Sequence, residues 1–526
     1  MKRKLITAAI AMSVMASTVI ADSTISERST RLDSMSLNNY MTKDSFNIFF
    51  NPANVANNKT GAFLELGLVD NGGADADQTA GANVNGFAGA FIDTSIGTFG
   101  VVLNRSNNNE EYFDSGENTR QNNIDLFYGV APTNDFSLGI RMTYASLDKS
   151  ESTSLNDLRA QDTNVTYNQD FNQNTSTSDD ASASDLTIQL GGQFFGFDVT
   201  GAYGIYDYSE NQTGATAFHG QTTTFAGLAL DDNITIISTE NDINNLEANG
   251  ASMIEFALAY TFDLSESSSI TGYGVYNATD YSLKGSENKT NSSTDYDPTT
   301  GNKIRSNVVS DVQSIAKSHT LDTIVIGASY NLKPIESILV VVAGEYTNKK
   351  RDIAYTRTQT QSNTINSVFI PTPTTTHTVN STTGTVDVNN LSENTNDLSV
   401  VIAAEAYVLD SLALRFGLRE SVYFDYSDNQ PDATYGKTYT NNDKVTTGDN
   451  TSTNTINTVQ DTASTDDYSD NFQPAMQIAI GFGYQATETI TVDGLVNANL
   501  FLTGPNFITG KELQDVNARL ALNYNF

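Results

Sequence analysis

The three histidines, His219, His319 and His377, stand in separate polar stretches, and no spacing brings two of them to one metal or sets one beside a nucleophile. Ser318 next to His319 is a sequence neighbour, not a hydroxyl with a positioned base. Zero Cys removes thiolate chemistry, disulfides and Cys-based metal sites together. The run Asp70-Asn71-Gly72-Gly73-Ala74-Asp75-Ala76-Asp77 offers hard oxygens but lacks the distal bidentate Glu of a Ca²⁺ loop, and it reads as a Gly-rich turn. No catalytic residue, metal or cofactor is expected. What remains is a set of charges: Glu65, Asp125, Arg141, Asp198, Glu255, Glu345, Glu405, Arg415, Arg419, Asp493 and Arg519. Each sits on the polar side of an alternating segment. Charges facing a lumen either tune a pore or cross-brace its wall, and the sequence leaves both roles open.

The alternation that places them is plainest at the carboxyl terminus, where Ala518, Leu520, Leu522, Tyr524 and Phe526 take every second position. Period two marks a strand with one apolar and one polar face. About sixteen such segments of roughly 9 to 14 residues recur, the length a tilted strand needs to cross a hydrocarbon layer. In 135–146, Phe136, Leu138, Ile140, Met142 and Tyr144 share one face, and Ser137, Gly139, Arg141 and Thr143 share the other. Lipid accepts only the first set, because an Arg at the bilayer midplane costs about 2 to 4 kcal/mol. Arg141 and its fellow charges therefore point inward. If Val130 pairs with Phe136 across the short turn, Asp125 falls opposite Arg141, and a similar hairpin register puts Glu405 near Arg415.

Short links alternate with long ones. Tight connections at 94–95, 132–134, 264–267, 332–336, 408–410 and 486 are separated by stretches such as 147–183, 209–251, 279–320, 347–396 and 423–471, rich in Asn, Thr, Ser and Asp. Outer-membrane barrels have this asymmetry, with tight periplasmic turns and longer external loops, and an even strand number puts both barrel ends in the periplasm. Gly blurs the period at 84–93 and 268–278, so the count is about 16 strands, or about 14 without them. With no Trp among 24 Tyr and 26 Phe, an interfacial girdle must come from Tyr and Phe. Tyr128, Tyr144, Tyr260, Phe262, Tyr330, Tyr346, Tyr484 and Tyr524 lie near strand ends, where a girdle needs them.

Lys2, Arg3 and Lys4 ahead of an apolar core over 5–15, with Val19 and Ala21 at a cleavage site, read as a signal peptide at 1–21. Removing those three bases takes the formal charge from −34 to −37. Nucleic acid is excluded as a partner, since phosphate binding needs a basic stripe. No later run is long enough for a helical span, and 38% hydrophobic residues suit a polar lumen with wet loops. The expected fold is all-β, a transmembrane antiparallel up-and-down barrel over 61–526 in the bacterial outer membrane, preceded by a segment at 22–60.

That segment contains Asp44-Ser45-Phe46-Asn47-Ile48-Phe49-Phe50-Asn51-Pro52-Ala53. The aromatic-Asn-Pro-Ala element resembles the N-terminal region of the FadL-type (OMPP1) transporters of hydrophobic compounds and the related TraF-like outer-membrane proteins. The family's Gly-rich stretch ahead of it is replaced by Met35-Ser36-Leu37-Asn38-Asn39-Tyr40. The resemblance implies a hatch inside the barrel, with Phe49, Phe50, Asn51 and Pro52 as its candidate residues, and substrates passing to a lateral opening. Three readings follow: a porin-like channel for passive diffusion of small solutes, a FadL-like transporter of hydrophobic ligands, or a surface adhesin with long Asn/Thr loops. Outer-membrane lipid and lipopolysaccharide are the expected surroundings in each.

Overall fold

The computed structural model describes residues 28–58, 60–69, 83–105, 121–133, 135–159, 169–222, 234–248, 251–296, 303–367, 375–429, 433–447, 450–464, 476–498 and 516–525. The signal-peptide reading and the Asp70–Asp77 turn fall outside these residues. Among the described residues, nineteen strands form one sheet. In chain order they are β1 (Gly61–Val69), β2 (Asn83–Thr94), β3 (Gly97–Leu103), β4 (Gln121–Thr133), β5 (Phe136–Arg159), β6 (Gln169–Phe194) and β7 (Phe197–Thr222). Next come β8 (Ile234–Ala248), β9 (Ala251–Ser265), β10 (Ser268–Tyr296), β11 (Lys303–Ile335), β12 (Ile338–Ser367) and β13 (Thr375–Leu409). The last are β14 (Leu412–Asn429), β15 (Ala433–Thr447), β16 (Asn450–Ser464), β17 (Met476–Gln485), β18 (Ile490–Ala498) and β19 (Val516–Asn525).

Each strand pairs antiparallel with its neighbours, and β19 pairs with β1 from Asn525↔Gly61 to Asn517↔Val69, so the sheet closes. Without β8, β15 and β16, the remaining sixteen form the wall, with β7 meeting β9 and β14 meeting β17. Closure leaves no unpaired backbone edge at membrane depth. The three others are attached above: β8 fits between the upper ends of β7 and β10, and β15–β16 is a hairpin laid on upper β13.

Side-chain parity gives the wall two surfaces. Leu138, Ile140, Met142, Ile188, Leu190, Phe256, Leu258, Ile326, Ile402, Leu414, Ile480 and Leu520 all face outward and are exposed, which only lipid accepts on this scale. Tyr260, Phe262, Tyr330, Tyr484 and Tyr524 rim this belt near the short turns, and Tyr144, Tyr203, Tyr276 and Tyr346 rim it on the other side. Tyr128 belongs to the short-turn rim, where its hydroxyl donates to the Ile96 carbonyl at 2.7 Å.

Two sequence expectations change. The polar stretches read as loops are largely paired strand: β10, β11, β12 and β13 run for 29, 33, 30 and 35 residues. Thr suits a pleated strand, and a strand wetted on both faces has no hydrophobic alternation to betray it. The β4–β5 hairpin also slips by two residues: β4 continues to Thr133, an irregularity follows Val130, and Val130 pairs with Leu138. Asp125 therefore faces Thr143, and Arg141 faces Phe127.

Candidate functional site

The apolar core lies inside the cylinder, built on residues 28–58. Ser29 caps a short helix at Thr30–Asp33 by accepting from the Leu32 amide at 3.1 Å. A turn follows with Ser36 at φ 54°. A second helical turn, Asn47–Phe50, leads into a 3₁₀ helix at Pro52–Asn57, where Asn51 accepts from the Ala53 amide at 3.0 Å and Pro52 takes the first helical position. These devices fold a segment too short to be stable alone. Its apolar side chains Leu32, Met35, Leu37, Met41, Ile48, Phe49 and Val55 are almost fully buried.

The segment has partners on every wall strand. Thr30 donates to Glu65 of β1; Phe46 meets Phe87 of β2 and Phe49 meets Phe127 of β4 edge to face, and both share a buried cluster with Val102 of β3. Arg141 of β5 and Gln189 of β6 donate to the Phe49 carbonyl, and Asn51 donates to Asp198 of β7 at 2.8 Å. Leu32, Met35, Leu37 and Met41 cluster with Ala259 of β9, Tyr273 of β10, Val341 and Ala343 of β12, and Val401 and Ala403 of β13. Ser329 of β11 donates to the Met41 carbonyl at 2.7 Å. Close contact at β14 and β17 depends on glycine: a Cβ at Gly417 would overlap the Met35 backbone, and one at Gly481 would overlap the Ser34 side chain. The helix at Thr30–Asp33 packs on β18, and Asp33 pairs with Arg519 of β19.

Four charge groups hold this arrangement. Asp125 accepts from Arg105 Nε at 2.8 Å, Arg141 Nε at 2.9 Å and Thr143 Oγ1 at 2.5 Å, all buried. The Arg105 and Arg141 guanidiniums each lie 5.2 Å from the Phe49 ring centre. Glu405 accepts from Arg415 Nε at 2.8 Å and Arg31 Nη2 at 2.7 Å, and Arg415 reaches on to Asp493 at 2.6 Å. Glu345 accepts from Asn38 at 2.8 Å, Tyr40 at 3.0 Å, Tyr273 at 3.1 Å, and Arg419. Arg519 joins Asp33 to Glu65.

Glu405 and Arg415 stand directly opposite in the ladder, whereas Asp125 and Arg141 meet on the diagonal, which a long guanidinium spans. Glu255 is placed elsewhere, accepting from Asn277 at 3.4 Å and taking no part in the four groups. Sequence reasoning missed Arg31, Asp33, Asn38, Tyr40 and Arg105. The first four lie in a segment without strand parity, and Arg105 follows the end of β3, past the last residue that parity orients.

One cavity borders the segment, and a groove lies on the outer face of the wall. On the short-turn side a cavity of about 720 Å³ is lined by Arg31, Tyr40, Lys43, Asp44, Phe50, Asp198, Lys333 and Glu336. On the lipid side a groove of about 420 Å³ is lined by Ile92, Phe99, Gly100, Leu126, Tyr128, Ile140 and Met142. At Gly100, which lines this groove, a Cβ would overlap the Phe91 ring of the luminal cluster. At the outer mouth, His319 of β11 accepts from Arg351 Nε at 2.9 Å, His219 and His377 lie apart on β7 and β13, and no metal-binding group occurs among the described residues. Beyond the belt, the Lys350 ammonium and the Ser392 hydroxyl hold the Asp352 carboxyl below the usual range.

No protein-family model and no curated protein matches the chain. Among solved structures it is similar to the P. putida toluene transporter TodX, at 9% identity over 92% of this chain and 95% of that one, with a TM-score of 0.29. The Ralstonia pickettii toluene transporter TbuX gives 9% identity over 95% and 98%, with a TM-score of 0.30. A ferric enterobactin receptor from Pseudomonas aeruginosa gives 9% over 89% and 80%, with a TM-score of 0.25. At such values the function of this chain rests on its own geometry.

Proposed function

We propose that the protein is an outer-membrane transport barrel for small hydrophobic compounds, with residues 28–58 as a hatch that closes the lumen to polar solutes. One observation carries the reading. Phe46, Phe49, Phe63, Phe87, Phe91 and Phe127 make a buried aromatic cluster between the hatch and β1–β4, and Phe127 and Gly100, against which the Phe91 ring packs, also line the apolar groove on the lipid side. An apolar molecule gains by entering such a cluster, whereas a sugar loses its hydration there without new hydrogen bonds. The contacts that 28–58 makes with every wall strand support a closed lumen over an open diffusive pore. The belt with its two aromatic rims supports placement in an outer membrane, short turns toward the periplasm.

The test is uptake into vesicles carrying the purified protein, comparing radiolabelled toluene with arabinose. Faster toluene entry, reduced by Gly100→Val, is the expected result. Arabinose entry at a porin-like rate, unaffected by that substitution, would restore passive diffusion.

A further inference from the structure

The link between β6 and β7 departs from the other short turns. Phe194 pairs with Phe197, so Phe195 and Gly196 make the turn, at φ 49° and 84°. Two successive positive φ angles call for Asn-Gly, and a bulky ring at the first of them is strained. Neighbouring elements fix the turn from both sides: the Phe195 amide donates to the Asp135 carbonyl at 3.2 Å, and the Thr261 amide donates to the Gly196 carbonyl at 3.1 Å. The Phe195 side chain is nonetheless 79% exposed. It stands just below a row of aromatics at the ends of four strands, Phe136, Phe194, Phe197 and Tyr260, which pair in that order across β5, β6, β7 and β9 on the outer face. The links after β4, β9, β11, β13 and β17 carry the acids Asp135, Glu266, Glu336, Asp410 and Glu488, whereas Phe195-Gly196 carries no charge. The β2–β3 turn, also neutral, exposes Ile96.

We infer that Phe195 is a membrane anchor, seated in the periplasmic leaflet at the boundary of hydrocarbon and headgroups, and that it steadies from outside the hairpin that holds the hatch inside. The inference rests on the membrane placement and the hatch proposed above. Continuity names lipid as the occupant: the aromatic row belongs to the rim of the lipid-facing belt, and Phe195 is one residue past it, about 3 Å along the strand. A headgroup layer is roughly 5 to 8 Å deep, so the ring is still within the membrane. A ring in water would gain nothing for its backbone strain, whereas a ring in the leaflet gains the transfer energy of an apolar surface. On the inner side of the same hairpin end, Asn51 of the hatch donates to the Gly192 carbonyl at 3.0 Å and to Asp198 at 2.8 Å, and Asn57 donates to Gln193 at 3.4 Å. A Cβ at Gly191 would overlap the Asn51 side chain. The last rungs of β6 and β7 thus carry the hatch on one face and the aromatic row on the other.

The chain has no Trp, so one introduced indole reports its own surroundings. Full-length variants are placed in nanodiscs whose lipids are brominated either near the headgroup or near the acyl terminus, and emission and quenching are measured. Phe195→Trp is expected to emit at shorter wavelength than solvated indole and to be quenched mainly by the shallow bromines. Leu190→Trp, in the belt, should be quenched mainly by the deep ones, and Glu488→Trp, on the β17–β18 turn, by neither. Hatch seating is read by trypsin cleavage after Lys43. Phe195→Asn supplies the residue that this turn prefers, so a purely structural role predicts cleavage as slow as wild type or slower. Loss of the anchor predicts cleavage several-fold faster, with the gel-mobility shift retained, and wild-type cleavage in Phe195→Leu. Three results would each overturn the inference: solvated emission from Phe195→Trp; shielded emission that neither bromine quenches, which would mean that protein covers the ring; or Phe195→Asn cleavage no faster than wild type. Absence of quenching at Leu190→Trp would overturn it together with the membrane placement on which it rests.

Discussion

Arg31 and Glu405 are 374 residues apart in the chain, yet Nη2 and Oε2 meet at 2.7 Å, and the same carboxylate accepts from Arg415 on the neighbouring strand. One buried acid thus serves the wall and the inner segment together. Glu405→Ala leaves two guanidiniums without their shared acceptor, a loss of about 3 to 5 kcal/mol for a buried pair. The expected readouts are a lower urea midpoint for the gel-mobility shift and a rise in planar-bilayer conductance. Arg31→Ala frees the segment without removing the wall pair, so it should raise conductance with a smaller loss of barrel stability. Unchanged conductance in both variants would mean that the segment is held by its apolar contacts alone.

The Arg105 and Arg141 guanidiniums, both paired to Asp125, lie 5.2 Å from the Phe49 ring centre, so that ring joins the aromatic cluster to a charge group. Phe49→Ala removes a fully buried ring, which costs about 3 to 5 kcal/mol in protein cores. Asp125→Asn removes the charge both arginines share and should cost a similar amount through uncompensated cations. Because the two sites touch, the double variant should cost less than the sum of the singles. Strict additivity in urea titrations would sink the coupling.

Removing 433–464 should leave the barrel intact. Among the described residues, β15 and β16 pair with the rest of the sheet only through upper β13, whereas β14 pairs with β17 from Leu412↔Tyr484 to Glu420↔Met476 below them. The trimmed protein is expected to keep its gel-mobility shift and its toluene uptake. A barrel that no longer assembles would show that the hairpin contributes to folding.

Legibility in the sequence followed hydration. Where one face meets lipid and the other a polar lumen, as in Phe136 to Tyr144, alternation gave the strand, its inward side and the number of wall strands. Where both faces meet water, as in Asn380-Ser381-Thr382-Thr383 of β13, the residues do not alternate and paired strand reads as loop. Parity put these wall charges on one face of each segment, but the partners they meet depend on 28–58, which carries neither period. The helix start that Asn51 and Pro52 make there was not read from the sequence. The path through Arg31, Asn38 and Tyr40 is set by tertiary contacts that no local pattern encodes.

Gly139 tests whether the segment and the wall fold separately. Its missing side chain lets the Pro52 carbonyl lie against β5, and a Cβ there would overlap that carbonyl directly. Val is a favourable strand residue, so Gly139→Val should not impair the ladder itself; its cost falls on the segment, which must move off β5. Moving Pro52 also strains the cap from Asn51 and the bond from Asn51 to Asp198. The expected outcome is a barrel with a normal gel-mobility shift whose Lys43 and Arg31 become cleavable by trypsin from the short-turn side. Ala at the same position gives a smaller overlap and should fall between wild type and Val in cleavage rate. A Val variant as resistant as wild type would mean that β5 yields instead of the segment, and that the wall is the softer of the two.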